Sequence, residues 1–140
     1  MYTFKNTEQN NKKATDLETK SLLYLIGMHK ERQTIETIAI DCFNDITGID
    51  GQNNKLWDVQ SKNHSVLNPA KIGKSLFTLL DNFECSIDFH EYILFIPKLE
   101  KSYLINNQLQ SYGISNIVLK TKTGIENGLK KEYKRVKKMN

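Results

Sequence analysis

The chain has 140 residues, 39% of them hydrophobic and 26% charged, a composition that excludes wholesale disorder and fits one domain with a modest core. No apolar run approaches the roughly 18 residues of a membrane span, and the polar, mixed-charge N-terminus does not have the form of a signal peptide. We therefore expect a cytoplasmic protein that does not bind membranes.

The formal charge of +4 is concentrated at one end of the chain. Residues 129–140 carry six basic residues and one acidic residue, whereas the other 128 residues carry 14 basic and 15 acidic. A basic helical end binds phosphate groups, and the alternative is a solvated terminus favoured by the helix dipole. A basic run at the last residue also suggests the N-terminal fragment of a longer protein.

The first structured element is predicted to be a helix. Residues 1–13 are rich in Asn, Lys and Gln and have the composition of a flexible leader, so we expect one domain over residues 14–140. Thr15 and Glu18 have the spacing of a capping box, in which each side chain satisfies a backbone amide at a helix start. Apolar residues at helical spacing then predict a helix from about Asp16 to Glu31.

Strands are predicted next. TIETIAID from Thr34 and FNDITGI from Phe43 predict one long strand, or two strands with a kink near Asp41. DGQNN, residues 50–54, predicts a hairpin turn in which glycine takes a backbone angle that other residues resist. The return strand is KLWDVQSKN, residues 55–63. Alternation puts one set of side chains on the packing face, namely Trp57, Val59 and Ser61, and the other set opposite, namely Asp58, Gln60 and Lys62.

The second half of the chain is predicted to contain a crossover helix. Asn68 and Pro69 form a helix start, and the apolar spacing predicts a helix from Pro69 to about Phe83. YILFIP, residues 92–97, is continuously apolar and predicts a strand buried on both faces. The remaining predicted elements are a helix over Glu100–Ser111 with Gly113 as its stop, a strand NIVLK at 116–120, and a helix over Thr123–Lys138. This order predicts an α/β fold with a mixed central sheet flanked by helices on both faces.

Asp45, Gln60 and Lys62 are the candidate catalytic residues. Cleaving a phosphodiester at neutral pH needs a divalent cation that activates water and a positive charge near the phosphate. Mg²⁺ prefers oxygen ligands, which Asp45, Gln60 and the peptide carbonyl of Ser61 offer. Lys62 lies on the same strand face as Gln60, about 6 to 7 Å away. An exposed polar strand face is the alternative interpretation.

These residues resemble a known family. Asp45, a gap of 14 residues and Gln60-x-Lys62 on a hairpin strand behind an N-terminal helix resemble the restriction-endonuclease-like nucleases, the PD-(D/E)XK superfamily, in a Gln-x-Lys variant. The likeness extends over about Thr15 to Leu99 and includes WDVQSK, NPAKIGKSLFTLLDNF and YILFIP. The chain resembles in particular the double-strand DNA nuclease domains that act as effectors in bacterial anti-phage defence. The resemblance implies an αβββαβ core.

The resemblance also implies an activity, which is hydrolysis of double-stranded DNA by an endonuclease that uses Mg²⁺ or Mn²⁺. Asp45 and Gln60 would be the metal ligands and Lys62 the catalytic lysine. Glu18 would match a first-helix glutamate that contacts the metal or a bound water in family members, with Glu36 as its rival. The chain departs from the family pattern in its glutamine and in having no proline before Asp45.

Further residues are candidates for the same site. Asp58 shares the predicted face of Gln60 and is either a third ligand or a solvent-facing partner of Lys62. Lys71, Lys74 and His64 are candidate DNA contacts. The alternatives are solubility for the two lysines and an ordinary polar loop residue for His64. Double-stranded DNA, a second copy of the chain and a sensor domain outside this sequence are the expected partners. The alternative function is a catalytically inactive module of the same fold that binds nucleic acid or a protein.

Overall fold

The computed structural model describes residues 12–138, with side chains from residue 15 onward. The predicted leader therefore lies outside the described residues except for its last two, Lys12 and Lys13, which belong to the first helix. The elements in chain order are α1 (Lys12–Gly27), β1 (Thr37–Ile40), β2 (Ile46–Asp50), β3 (Lys55–Ser61), α2 (Pro69–Ser75), α3 (Phe77–Phe83), β4 (Glu91–Phe95) and α4 (Leu119–Lys137), with 3-10 turns at Lys101–Tyr103 and Ile114–Asn116.

The four strands form one mixed sheet in the order β1-β2-β3-β4. β1, β2 and β3 are antiparallel neighbours, and β4 runs parallel to β3 after the crossover through α2 and α3. The predicted α/β fold with a mixed sheet is confirmed. β3 has a strand on each side, whereas β1 and β4 form the two edges.

Separate apolar clusters cover the two faces of the sheet. Leu25 of α1 packs with Trp57 and Val59 of β3, and all three side chains are 0% exposed. On the other side, Ile72 of α2 and Ile125 of α4 form a second cluster with residues of the 99–117 segment. None of the helices in the described part of the chain is long and apolar enough to cross a membrane.

The first helix begins earlier than its sequence predicts. Thr15 lies inside α1, where its carbonyl oxygen accepts a hydrogen bond from the Thr19 hydroxyl, so the predicted capping box is wrong. α1 ends at Gly27, and residues 28–34 form turns instead of extending the helix to Glu31. The first strand segment forms two strands, since the chain reverses between Ile40 and Ile46.

The two hairpin turns use residues other than glycine for their left-handed positions. Asp41 has φ of 55° between β1 and β2, and Asn54 has φ of 54° between β2 and β3. The predicted role of Gly51 is wrong, because no described glycine has a positive φ. Asp50 instead caps the second turn, with its carboxylate accepting from the Asn53 backbone N–H at 3.0 Å and the Asn53 side chain at 2.8 Å.

The crossover helix is divided at Leu76. Asn68 caps α2 as predicted, because its side chain accepts a hydrogen bond from Lys71 N at 2.9 Å. α2 then ends at Ser75, and α3 begins at Phe77 as a separate helix. β4 is half-buried along its whole length, so the prediction of a strand buried on both faces is wrong. The cause is its position at the edge of the sheet.

The segment after β4 differs most from its prediction. Only Lys101–Tyr103 is helical in the predicted helix. NIVLK does not form a strand, because Asn116 ends a 3-10 turn, Ile117 forms an isolated bridge with Leu104, and the last two residues already belong to α4. Asn116 closes this segment, because its side chain accepts from Asn106 N and donates to Asn106 O at 2.9 and 2.8 Å. Asparagine bonds that compete with helix formation explain both errors. α4 confirms the predicted last helix, with an earlier start.

α2 and α4 are held in backbone contact by glycines. A Cβ atom on Gly73 would lie 1.9 Å from the carbonyl oxygen of Ile125, and one on Gly128 would lie 2.2 Å from that of Ala70. Any side chain at either position therefore forces the two helices apart. Gly27, at the end of α1, has no heavy atom within 4 Å of the corresponding position.

We expect Gly73→Ala and Gly128→Ala each to lower the free energy of unfolding by at least about 2 kcal/mol, because overpacking displaces backbone. Urea denaturation measures this change. Gly27→Ala is the matched control and should change stability by no more than about 1 kcal/mol. Equal effects at all three glycines would contradict the close packing of α2 and α4.

Candidate functional site

Antiparallel pairing brings Asp45 and Gln60 together. Ile46 of β2 pairs with Val59 of β3, so Asp45, one residue before, falls opposite Gln60. The Gln60 side chain donates a hydrogen bond from Nε2 to Asp45 Oδ2 at 2.6 Å. Two residues with 14 others between them in the sequence are thus in direct contact.

The Asp45 carboxylate uses one of its two oxygens for contacts within the protein. Oδ2 also accepts hydrogen bonds from the backbone N–H and the hydroxyl of Ser61, at 2.6 and 2.7 Å. Within residues 12–138, no hydrogen bond to Oδ1 is formed. Asp45 is half-buried, so the protein fixes this carboxylate in position and leaves one oxygen available to a ligand.

Gln60 is 3% exposed, and all its polar atoms have partners. Its Nε2 also donates to the carbonyl oxygen of Ser61 at 3.1 Å, and its Oε1 accepts from the Thr78 hydroxyl of α3 at 3.0 Å. The N–H side of the amide therefore faces Asp45. A hydroxyl both donates and accepts, so the reversed amide would keep its bond to Thr78 while turning its oxygen towards Asp45.

Lys62 continues the line of β3 beyond its last strand residue. Its backbone N–H donates to Phe95 O at 3.0 Å, which extends the pairing of β3 with β4 and fixes the backbone. The side chain is half-buried and forms no ion pair with an acidic group of the described residues. Its positive charge is thus available at the end of β3.

Lys62, Lys71 and Lys74 surround His64. Burial lowers the pKa of His64, and the charges of Lys71, Lys62 and Lys74 lower it further. The Ser75 hydroxyl donates to Lys71 O, so the imidazole Nε2–H donates to Ser75 Oγ at 2.9 Å. His64 is therefore a neutral, positioned residue, and the predicted DNA contacts lie close to the predicted catalytic lysine.

Asp58 is the residue whose environment differs most from expectation. Its side chain is 0% exposed, so it is not a solvent-facing partner of Lys62 and that interpretation is wrong. Asn44 Nδ2 donates to both of its oxygens, at 3.0 and 2.9 Å, and Asn82 Nδ2 donates to Oδ2 at 2.8 Å. Burial raises the pKa of Asp58, and the charge of Asp45 adds to this rise. Asp58 thereby holds the residue that directly precedes Asp45.

The sequence alone did not indicate the supporting residues Asn44, Thr78 and Asn82. Asn44 carries no local signal beyond its place next to Asp45. Thr78 and Asn82 are separated by four residues, which puts both on one face of α3. That face lies away from the centre of the apolar stripe of the predicted helix, so it has the sequence pattern of a solvent-facing surface.

Glu36 is not part of the site around Asp45. It is exposed near the β2–β3 turn, where its carboxylate accepts from Gly51 N at 3.3 Å and from the Gln52 side chain at 2.5 Å. β2 has five residues, so this turn lies at the far end of the strand from Asp45. The structure thus separates Glu36 from the Asp45 site.

Glu18 is exposed on α1. Tyr24, also on α1, has its ring centroid 5.8 Å from that of Phe95, which pairs with Ser61 at the end of β3. Glu18 precedes Tyr24 by about 9 Å along the helix axis. The N-terminal half of α1 therefore extends past the end of β3 that carries the site.

A second group of metal-type ligands lies at the other end of β3. One ligand atom from each of His29, Glu31 and Glu91 falls within 4.8 Å of the others. His29 Nδ1 accepts from Glu31 N at 3.2 Å, which leaves the proton on Nε2, 2.9 Å from the Glu91 carboxylate. Glu31 also binds Lys55 at 2.7 Å and His90 at 2.9 Å. These groups satisfy one another, which indicates a structural network.

We expect Asp58→Ala to lower the free energy of unfolding by about 2 to 4 kcal/mol, because it leaves two half-buried amides without their acceptor and opens a cavity beneath them. A double-mutant cycle with Asn44→Ala should show a coupling between about 0.5 and 3 kcal/mol in urea denaturation. Asp88→Ala, at an exposed aspartate, is the matched control with little effect. Additive losses for Asp58 and Asn44 would contradict the contact.

Glu31 predicts a pH dependence of stability. Hydrogen bonds from Lys55 and His90 lower its pKa from 4.5 to about 2, so its stabilising effect is present above pH 4.5 and is lost towards pH 2. Glu31→Gln should therefore lose less stability than the unchanged protein between pH 5 and pH 2, as measured by urea denaturation. Glu126→Gln, in an exposed pair with Lys130, should follow the unchanged protein.

Comparison with known proteins gives no relative for this chain. No protein-family model, no curated protein and no solved structure matches it.

Proposed function

We propose that the chain is a metal-dependent endonuclease domain of the restriction-endonuclease-like type that hydrolyses double-stranded DNA. The observation that carries the proposal is the contact of Asp45, directly before β2, with Gln60 and Ser61 at the end of β3, directly before Lys62. The order α1, β1, β2, β3, α2/α3, β4 also agrees with the αβββαβ order that the sequence resemblance implies.

The donor set fits a hard divalent cation such as Mg²⁺ or Mn²⁺. Asp45 supplies a carboxylate oxygen without a protein partner in the described region, and Ser61 supplies a peptide carbonyl beside it. Gln60 supplies a third oxygen once its amide is reversed, and Thr78 accepts the amide N–H in that state. When bound, such a cation polarises the phosphate and lowers the pKa of a water.

The protein's own residues position the substrate. Lys62 supplies a charge that stabilises the negative phosphate during reaction and is not neutralised by a protein acid in the described residues. Lys71 and Lys74 lie near His64, on the α2 side of Lys62, and attract the adjoining phosphates. Phosphate contacts orient a duplex without selecting its sequence, so we propose little base readout by this domain.

The proposed role sets requirements beyond the single chain. One site cuts one strand, so a double-strand break needs a second copy of the domain or a second binding event. A role as an anti-phage defence effector needs a sensor outside these residues to switch the nuclease on. Both are proposals that rest on the sequence resemblance.

We expect the purified protein with Mg²⁺ to nick or cut supercoiled plasmid. Lys62→Ala should reduce the rate by at least about 10²-fold, because one stabilising charge at the reacting phosphate is lost. Lys30→Ala, at an exposed lysine next to the His29 network, is the matched control and should keep full activity. Gln60→Glu should lower the Mg²⁺ concentration needed for half-maximal cleavage, because it adds a negative ligand.

Cleavage by Lys62→Ala at the rate of the unchanged protein would contradict the site assignment. Circular dichroism and thermal denaturation must show that each variant is folded. DNA binding without any cleavage, over a range of Mg²⁺ and Mn²⁺ concentrations, would favour the alternative of an inactive binding module.

A further inference from the structure

Four exposed lysines of α4 and its C-cap lie on one face, whereas Lys122, which is half-buried, lies on the opposite face. Lys120, Lys131, Lys134 and Lys138 are separated by 11, 3 and 4 residues, which places them within a band about 60° wide at 3.6 residues per turn. All four are exposed, and none forms an ion pair with another described residue. We call these four residues the lysine stripe.

The acidic residues of α4 are kept off the stripe. Glu126 pairs with Lys130 at 2.5 Å, and Glu132 pairs with Arg135 at 2.6 Å and lies 4.0 Å from Lys74. Neither acid lies on the stripe, although Glu132 offsets part of the charge of Lys74 on α2. An ordinary solvated helix face mixes both signs of charge, whereas this face carries lysines alone, one near its start and three near its end.

The stripe is attached to the part of the protein that carries the predicted phosphate contacts. α4 packs directly on α2 through Gly73 and Gly128, and α2 carries Lys71, Lys74 and the Ser75 that holds His64. The stripe and the lysines near His64 thus lie on two helices that pack against each other.

We propose that the lysine stripe contacts the phosphate backbone of a DNA duplex beyond the cleavage site, a proposal that rests on the proposed nuclease function. Lys120 and Lys138 are 18 residues apart, or about 27 Å along the helix axis, which spans about 8 base pairs of duplex at 3.4 Å each. Charge complementarity favours this occupant, because the duplex presents a regular row of negative charges and the stripe has no acid to repel them.

The test compares two double variants of the same helix with the same change in charge. Lys131→Gln/Lys134→Gln removes half of the stripe, whereas Lys130→Gln/Lys137→Gln removes two lysines that pair with acids on other faces. Equilibrium binding to a 30-base-pair duplex is measured in EDTA over a range of salt concentrations. Each lost phosphate contact reduces the slope of log affinity against log salt by about 0.9.

We expect the stripe variant to reduce the slope by about 1.8 and to weaken binding at least about tenfold at 0.1 M salt, with little change in the control variant. Equal slopes for the two variants would overturn the proposal. Vesicles that contain phosphatidylserine serve as a second probe, and a stripe variant that loses only vesicle binding would also overturn it.

A cleavage assay separates this proposal from the nuclease itself. If the stripe variant cuts plasmid with an unchanged KM for DNA and binds duplex normally, the proposed DNA contact of the stripe is wrong, whereas the proposed nuclease function stands. If the unchanged protein never cuts DNA but the stripe variant loses duplex binding, the proposed nuclease function is wrong, whereas the proposed DNA contact of the stripe stands. Lack of duplex binding by the unchanged protein overturns the stripe proposal.

Discussion

Asp58 and Gln60 are buried on the central strand of the sheet, so their polar atoms must find partners inside the protein. A buried carboxylate is costly unless it is hydrogen-bonded, and Asp58 accepts three hydrogen bonds from amides of Asn44 and Asn82. This requirement explains why α3 presents Asn82, and Thr78 four residues earlier, to the sheet. The polar contacts dock α3 and hold the turn before β2, and they thereby set the position of Asp45.

The same requirement explains why the site lies at the end of β3. Ser61 provides a backbone N–H, a hydroxyl and a carbonyl within hydrogen-bond distance of Asp45 or Gln60. At the opposite end of the strand, the polar groups are paired with one another: His29 binds Glu91, and Glu31 binds both Lys55 and His90. One end of β3 is therefore closed by internal pairing, whereas the other leaves a carboxylate oxygen and a lysine free of partners among the described residues.

The sequence predicted what depends on local signals. Asn68 with Pro69 located the start of α2, and the spacing from Asp45 to Gln60 anticipated their contact, because a hairpin fixes which residues face each other. Alternation along β3 correctly predicted which side chains share a face. It could not predict that both faces are buried, because this depends on α1 and α3, which cover them. The predicted helix after Glu100 was wrong for a similar reason. Hydrogen bonds of Asn116, which lies outside the predicted helix, hold this segment in a non-helical conformation.

The break at Leu76 divides the crossover into two short helices that are held mainly by different partners. α2 is in backbone contact with α4 at Gly73 and Gly128, whereas α3 is hydrogen-bonded to β3 through Thr78 and Asn82. α4 also contacts α3, because the rings of Phe77 and Tyr133 lie 6.4 Å apart and Lys137 lies 3.9 Å from Glu84. A displacement of α4 would therefore reach the strand that carries the reacting groups through α3 as well as through α2, which couples the binding of a long ligand to the alignment of those groups.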